Sequence, residues 1–278
     1  MQATDHRCKG GRKRPPLRYG DNANGQTMTT SDNDRGDRSP SPGAPPEKSL
    51  AAREAAFYGR RKGKPLRSTQ AAHLEQDLPR FALDLSTLGE SAQDLAGLFD
   101  RPVTAIRMEI GFGGGEHLLN EATRHPDIGY IGAEAFINGV AKLTTAVAEG
   151  GLTNVRLHGD DVIPLLDRLP AGSLDRVDLL YPDPWPKRRH WKRRFVQPDN
   201  IERIARLLAA GGRFRFATDI EHYAAWTLRY LLADRRFDWV ARRADDWRQP
   251  WAGWPGTRYE RKAQREGRTP GYYEFLRI

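Results

Sequence analysis

The chain has 278 residues, 38% of them hydrophobic, and 45 lysines and arginines against 36 acids give a net charge of +9. Its one cysteine, Cys8, excludes an internal disulfide and a thiolate metal site. No run approaches the ~18 apolar residues of a membrane span, and the N-terminus lacks the apolar core of a secretory signal. The expectation is a cytoplasmic protein with no metal and no membrane partner, and the basic balance points to a polyanion, nucleic acid first.

Residues 1–48 hold few large apolar side chains and many Gly, Pro, Ser, Asp, Asn and Arg. Such a segment buries too little surface to offset its ordering entropy, so it reads as a disordered tail, with 49–278 as a single folding unit. From about residue 100, short apolar runs alternate with helical patterns. Strands are expected at 103–110, 128–134, 154–160, 174–182 and 211–218. Helices are expected at 116–125, 136–150, 162–169, 198–209 and 219–232, where Thr218 and Glu221 have capping-box spacing. This alternation predicts an α/β fold with a parallel sheet and helices on both faces, and ligands in such folds lie at the carboxyl ends of the strands.

Those ends carry acids and glycines. After the first strand comes EIGFGGGEH, with Glu109, Gly111, Gly113, Gly114 and Gly115. The glycines let backbone approach a ligand, and an acid two residues before the first of them favours a ligand with a cationic end over a pyrophosphate. Glu134 ends the second strand, where a carboxylate accepts from a ribose diol or sits beside a helix N-terminus. In Gly159-Asp160-Asp161, Asp160 either holds an adenine amino group or caps the next helix. Three acids and a glycine loop suit a nucleoside without phosphate, such as S-adenosylmethionine, better than NAD. After the fourth strand comes YPDPWPKRRHWKRRF, where Pro182 and Pro184 restrict the backbone around Asp183. Trp185 either stacks on a base or packs in the core. The run Lys187, Arg188, Arg189, His190, Trp191, Lys192, Arg193, Arg194 interleaves cations with aromatic rings, as nucleic-acid surfaces do.

Together, EIGFGGGEH, GAE, GDD, PDPWPKRRHWKRR, ATD and TRYERKAQREGR resemble bacterial tRNA (guanine-N7-)-methyltransferases, over roughly residues 55–278. The resemblance implies a class I S-adenosylmethionine-dependent methyltransferase fold, Rossmann-like, with a mostly parallel seven-stranded sheet. It implies S-adenosylmethionine as donor, S-adenosylhomocysteine as product, tRNA as partner and N7 of a variable-loop guanosine as acceptor. By the same likeness Glu109, Gly111, Gly113, Glu134, Asp160 and Asp183 line the donor site, and Asp183 is the catalytic carboxylate. Lys187, Asp219, Thr257, Arg258, Tyr259 and Glu260 fall on substrate-contact positions. Family members often have alanine where this chain has Asp161, and the spacing to PDPW directs Asp160 to the adenine.

Guanine N7 has a free lone pair, so the reaction needs alignment rather than a strong base, a gain of up to ~7–11 kcal/mol in ideal cases. Asp183 is expected to accept hydrogen bonds from the guanine N1–H and exocyclic amine, which methylation makes more acidic. The basic run, including Arg189, Lys192, Arg193 and Arg194, is expected to hold the tRNA backbone. Asp219 otherwise reads as an acid near a helix N-cap. The 57–67 stretch, FYGRRKGKPLR, is a second basic patch expected to order only with tRNA, and TRYERKAQREGR is expected to fold back over the site. The chain is expected to act as a monomer or homodimer. Competing readings are an amino methyltransferase, whose acid-Pro-Pro-aromatic turn this chain lacks at Trp185, and a non-catalytic RNA-binding scaffold, against which the full set of acids argues.

Overall fold

A computed structural model describes residues 58–278. The tail expected over residues 1–48 lies outside the described residues. Three short helices come first, α1 (Ser68–Gln76), α2 (Leu78–Phe81) and α3 (Ala92–Ala96). The alternating part follows as β1 (Ala105–Ile110), α4 (Glu116–Arg124), β2 (Ile128–Ala133), α5 (Ile137–Glu149), β3 (Val155–His158), α6 (Val162–Arg168) and β4 (Leu174–Leu180). A 3-10 helix, Arg188–Arg193, leads to α7 (Pro198–Leu207), β5 (Leu208–Thr218), α8 (Glu221–Ala233) and β6 (Phe237–Trp239). The chain closes with α9 (Asp245–Arg248), α10 (Arg258–Arg265) and β7 (Gly271–Arg277).

The seven strands form one sheet in the order β3-β2-β1-β4-β5-β7-β6. Strands β1 to β5 are parallel, whereas β7 runs antiparallel between β5 and β6. The order reverses between β1 and β4, so a crevice opens beyond their carboxyl ends. Every residue of β2 is buried. Its alternate side chains enter different apolar clusters, Ile128 and Tyr130 one, Ile131 and Ala133 the other. That is why the strand reads as a continuous apolar run rather than an alternating one. No helix among the described residues is long and apolar enough to cross a membrane.

The expected capping box of α8 is absent. The helix starts at Glu221 with Ile220 at its N-cap, and the Thr218 hydroxyl accepts instead from the Ile220 N–H at 3.2 Å. Thr218 is still the last residue of β5, so extended pairing holds it away from the helix. Strand β7 was not anticipated. It is the last element of the chain and pairs through register with β5, with Arg213 and Arg215 both meeting Glu274.

A buried ionic network lies inside the fold. Arg176 on β4 is 5% exposed and donates to Asp178 at 2.9 Å and to Glu121 of α4 at 2.6 Å, and Glu121 also accepts from Arg107 at 3.3 Å. Removing Arg176 leaves Asp178 buried without its ion-pair partner and Glu121 with Arg107 alone. Arg176→Met should therefore destabilise the protein by about 3–5 kcal/mol, read as a lowered midpoint in urea unfolding.

Candidate active site

Four segments converge at the carboxyl ends of β1 to β4. In the β1–α4 loop, Gly111, Gly113 and Gly115 have φ of 69°, 57° and 74°. Alternate left-handed residues fold this loop tightly, and side chains with a Cβ rarely adopt them. Gly115 is also the N-cap of α4, against Leu143. Glu134 follows β2 and braces the loop: it accepts from the Gly113 N–H and from the Phe136 N–H, each at 2.8 Å. Burial raises its pKa, the backbone bonds oppose that, and the Asp183 charge adds to it.

Glu109 lies beneath the loop, 6% exposed, and meets Nδ1 of the equally buried His117 at 2.7 Å. Burial pushes the Glu109 carboxyl up. Burial alone would lower His117, but the Glu109 carboxylate outweighs it and its pKa is raised. Both directions describe a pair that keeps one proton between them. The His117 ring also packs 5.0 Å from Trp254.

After β3 the helix cap is Asp161, not Asp160. Asp161 caps α6, accepting from the Ile163 N–H at 3.1 Å, while Asp160 accepts from the Asp161 N–H at 2.7 Å. Asp160 is exposed and pairs with Arg61. Arg61 belongs to the basic 58–67 stretch, which lies on the first turn of α5. The Ile137 N–H donates to Arg61 O at 3.0 Å, the Gly63 N–H to Asn138 Oδ1 at 2.9 Å, and Asn138 Nδ2 to Lys64 O at 2.7 Å. A free donor at the helix N-terminus and the Asn138 side chain hold this stretch of backbone.

After β4 the turn is unusual. Tyr181 and Trp185 have φ of 51° and 42°, left-handed values for bulky residues on either side of Asp183. Each costs of order 1–3 kcal/mol and persists only where the surroundings impose it. Asp183 is exposed, and among the described residues no group donates to its carboxylate. Desolvation by the protein around it raises its pKa, an effect that water limits at an exposed position. Trp185 is half-buried, not core: the Arg193 guanidinium lies 5.0 Å from its ring centre and His190 packs edge-on at 5.9 Å.

The basic run divides in two. Lys187, Arg188, Arg189 and Lys192 are exposed. His190 is half-exposed, and burial and then Arg193 lower its pKa, so the ring is neutral and accepts from Arg189 Nε at 3.3 Å. Trp191 is half-buried and donates to Pro186 O at 3.3 Å. Arg193 is sandwiched between Tyr58 and Trp185, 5.0 Å from each ring centre. Arg194 corrects the expectation of a backbone-binding cation: it is 1% exposed, packed against Trp191, Tyr223 and Trp226.

The TRYE stretch forms the start of α10 and folds onto the glycine loop. Thr257 is the N-cap and makes a capping box with Glu260. Both are buried, and Glu260 further accepts from Trp254 Nε1 at 2.6 Å and from the Tyr272 hydroxyl. Their side chains thus hold the segment together. Arg258 pairs with Glu116 at 2.7 Å, and the exposed Tyr259 stands over Gly113. Asp219 is neither a cap nor free, since it pairs with Arg268. Among the described residues no group of three or more His, Cys, Asp or Glu is placed to hold a metal.

One residue escaped the sequence reading. Gly139, in the first turn of α5, faces the glycine loop so closely that a Cβ there would lie 2.1 Å from Gly113 O. The signal was available: a glycine inside a helix costs up to about 1 kcal/mol and needs a reason.

A parallel sheet in this order with an antiparallel strand inserted at one end, a glycine loop at the switch point and acids after successive strands define a class I methyltransferase fold. The 16S rRNA methyltransferase KamB shares that fold, with a TM-score of 0.50 and 17% identity over 68% of this chain and 94% of KamB. Residues 103–271 match the Methyltransf_4 family, described as "Putative methyltransferase". The tRNA (guanine-N(7)-)-methyltransferase of Chelativorans sp. (strain BNC1) is 57% identical over 80% of this chain and 95% of its own length. That of Rhodopseudomonas palustris (strain BisB5) is 55% identical over 81% and 87%. The chain belongs to the tRNA (guanine-N7-)-methyltransferase family.

Proposed function

We propose that this chain transfers a methyl group from S-adenosylmethionine to N7 of a guanosine in the tRNA variable loop, with Asp183 as the catalytic carboxylate. The observation that carries this reading is the carboxylate of Asp183, which no donor among the described residues engages, at the switch point of a methyltransferase sheet. Its charge raises the pKa of both Glu134 and Tyr259, and Tyr259 stands over Gly113, whose N–H Glu134 accepts.

The residues present fit the donor. Gly111 leaves backbone open to it, Gly113 lies beneath Tyr259 beside it, Glu134 retains lone pairs for a ribose diol, and Asp160 stands at the next strand end. Glu109 stands below the loop, bonded to His117. S-adenosylmethionine supplies an electrophilic methyl group on a sulfonium. The chain's own task is to hold guanine in line with it, and Asp183 orients the base through its N1–H and amine. Those donors become more acidic as N7 gains charge, so Asp183 binds more tightly as the reaction proceeds. Lys187, Arg189, His190, Trp191 and Lys192 are the surface for the substrate beside it, with Arg193 at its edge. Arg258 and Tyr259 face it from α10, whose N-terminal turn Thr257 and Glu260 shape, and Asp219 anchors the following loop. A tRNA substrate accords with a cytoplasmic monomer or homodimer built on one methyltransferase domain.

Incubation of the protein with labelled S-adenosylmethionine and unmodified tRNA, followed by mapping of the labelled nucleotide, tests the reading. Label at N7 of the variable-loop guanosine is expected; label on another atom moves the enzyme to another methyltransferase class. A further expectation concerns Arg261 and Arg265, which line one open groove on α10 with Arg258. Neither guanidinium forms an ion pair with a carboxylate among the described residues. Replacing both by glutamine should flatten the dependence of log K for tRNA on log salt by about 1 to 2, measured by filter binding. An unchanged slope would take α10 off the RNA path.

A further inference from the structure

We propose that Arg194 is a positioning residue for Asp183, gripping the backbone of the proline-bounded turn from inside the protein. Arg194 Nε donates to Pro184 O at 2.9 Å, the carbonyl next after Asp183. Its Nη2 donates to Nδ1 of His222 at 2.7 Å, at the start of α8. The acceptance fixes the ring as neutral, with its proton on Nε2. The guanidinium is packed against the rings of Trp191, Tyr223 and Trp226, 4.7, 4.9 and 5.0 Å from their centres.

Two features make this more than packing. The charge is buried without a carboxylate partner, a costly arrangement that aromatic faces only partly offset, and an apolar side chain would fill the space without that cost. The turn it grips is also the strained one: Tyr181 and Trp185 are both left-handed, and the proline at 184 has no N–H with which to anchor itself. Its carbonyl is the remaining handle. Arg194 therefore ties the turn to α8 and sets the direction in which Asp183 projects, while its exposed neighbours remain available to RNA.

The inference rests on the methyl-transfer reading. Arg194→Met removes these bonds, and Arg194→Lys keeps a charge and a single donor nitrogen. Single-turnover methylation at saturating donor and tRNA should slow about 10- to 100-fold in Arg194→Met and less in Arg194→Lys. Donor affinity and the salt slope of tRNA binding should stay at wild-type values. An unchanged rate overturns the proposal, as does a slope lowered by the ~0.7–0.9 of one phosphate contact. If Arg194→Met does not fold, His222→Ala loosens the same guanidinium from an exposed position. A slower rate at unaltered donor affinity then supports the proposal, and a wild-type rate overturns it. A wild-type protein that labels no tRNA ends the methyl-transfer reading itself; labelled wild type with an equally fast Arg194→Met ends only this one.

Discussion

Asp183→Asn should slow single-turnover methylation about 10²- to 10³-fold while tRNA affinity changes only a few-fold. The amide keeps the shape of the side chain but loses the charge and one acceptor, so the interaction that strengthens with charge on the guanine ring disappears. The loss should fall on the rate because Asp183 acts most in the transition state. Weaker tRNA binding with an intact rate would refute the role. Protonation should imitate the amide. Desolvation lifts the Asp183 carboxyl above its ordinary 3.8. The wild-type rate should therefore be full well above that raised pKa and fall as pH drops through it, whereas the rate of Asp183→Asn should stay flat over the same range. A wild-type profile equally flat there would separate the charge from the chemistry.

Gly139→Ala should weaken donor binding at least ~10-fold, measured by calorimetry with S-adenosylhomocysteine. In an ordinary helix the change stabilises, by up to about 1 kcal/mol. Here the added methyl would sit 2.1 Å from Gly113 O and 3.3 Å from Glu134 Cγ. Backbone on the loop side cannot yield as a flexible side chain does, so either α5 or the glycine loop must shift. Both movements disturb the bond from the Gly113 N–H to Glu134 and with it the proposed ribose site. Wild-type affinity in this variant would mean that the loop is free to move without consequence.

Much of this molecule is legible without coordinates, because the relevant signals are local. Apolar runs separated by helical spacing define β1 to β5 and the helices between them, and the alternation itself implies parallel strands. Once the sheet is parallel, its carboxyl ends are where chemistry belongs, and Glu109, Glu134, Asp160 and Asp183 follow by position along the chain. What stays hidden depends on partners distant in sequence. Lys192, Arg193 and Arg194 are alike in the sequence, yet the first is exposed, the second is held between Tyr58 and Trp185, and the third is buried.

Sequence by itself therefore determined the fold class, the order of the strand ends and the acids placed there. Only the tertiary structure decided that Asp161 rather than Asp160 caps α6, that Arg61 reaches Asp160, and that Gly139 abuts Gly113. It alone decided that Arg194 faces inward. The physical reason is the same in each case. Periodicity records which face of an element is apolar, but the fate of a charge or a missing Cβ depends on what the rest of the chain brings against it. For Arg194 that is Tyr223 and Trp226 of α8, about thirty residues further on.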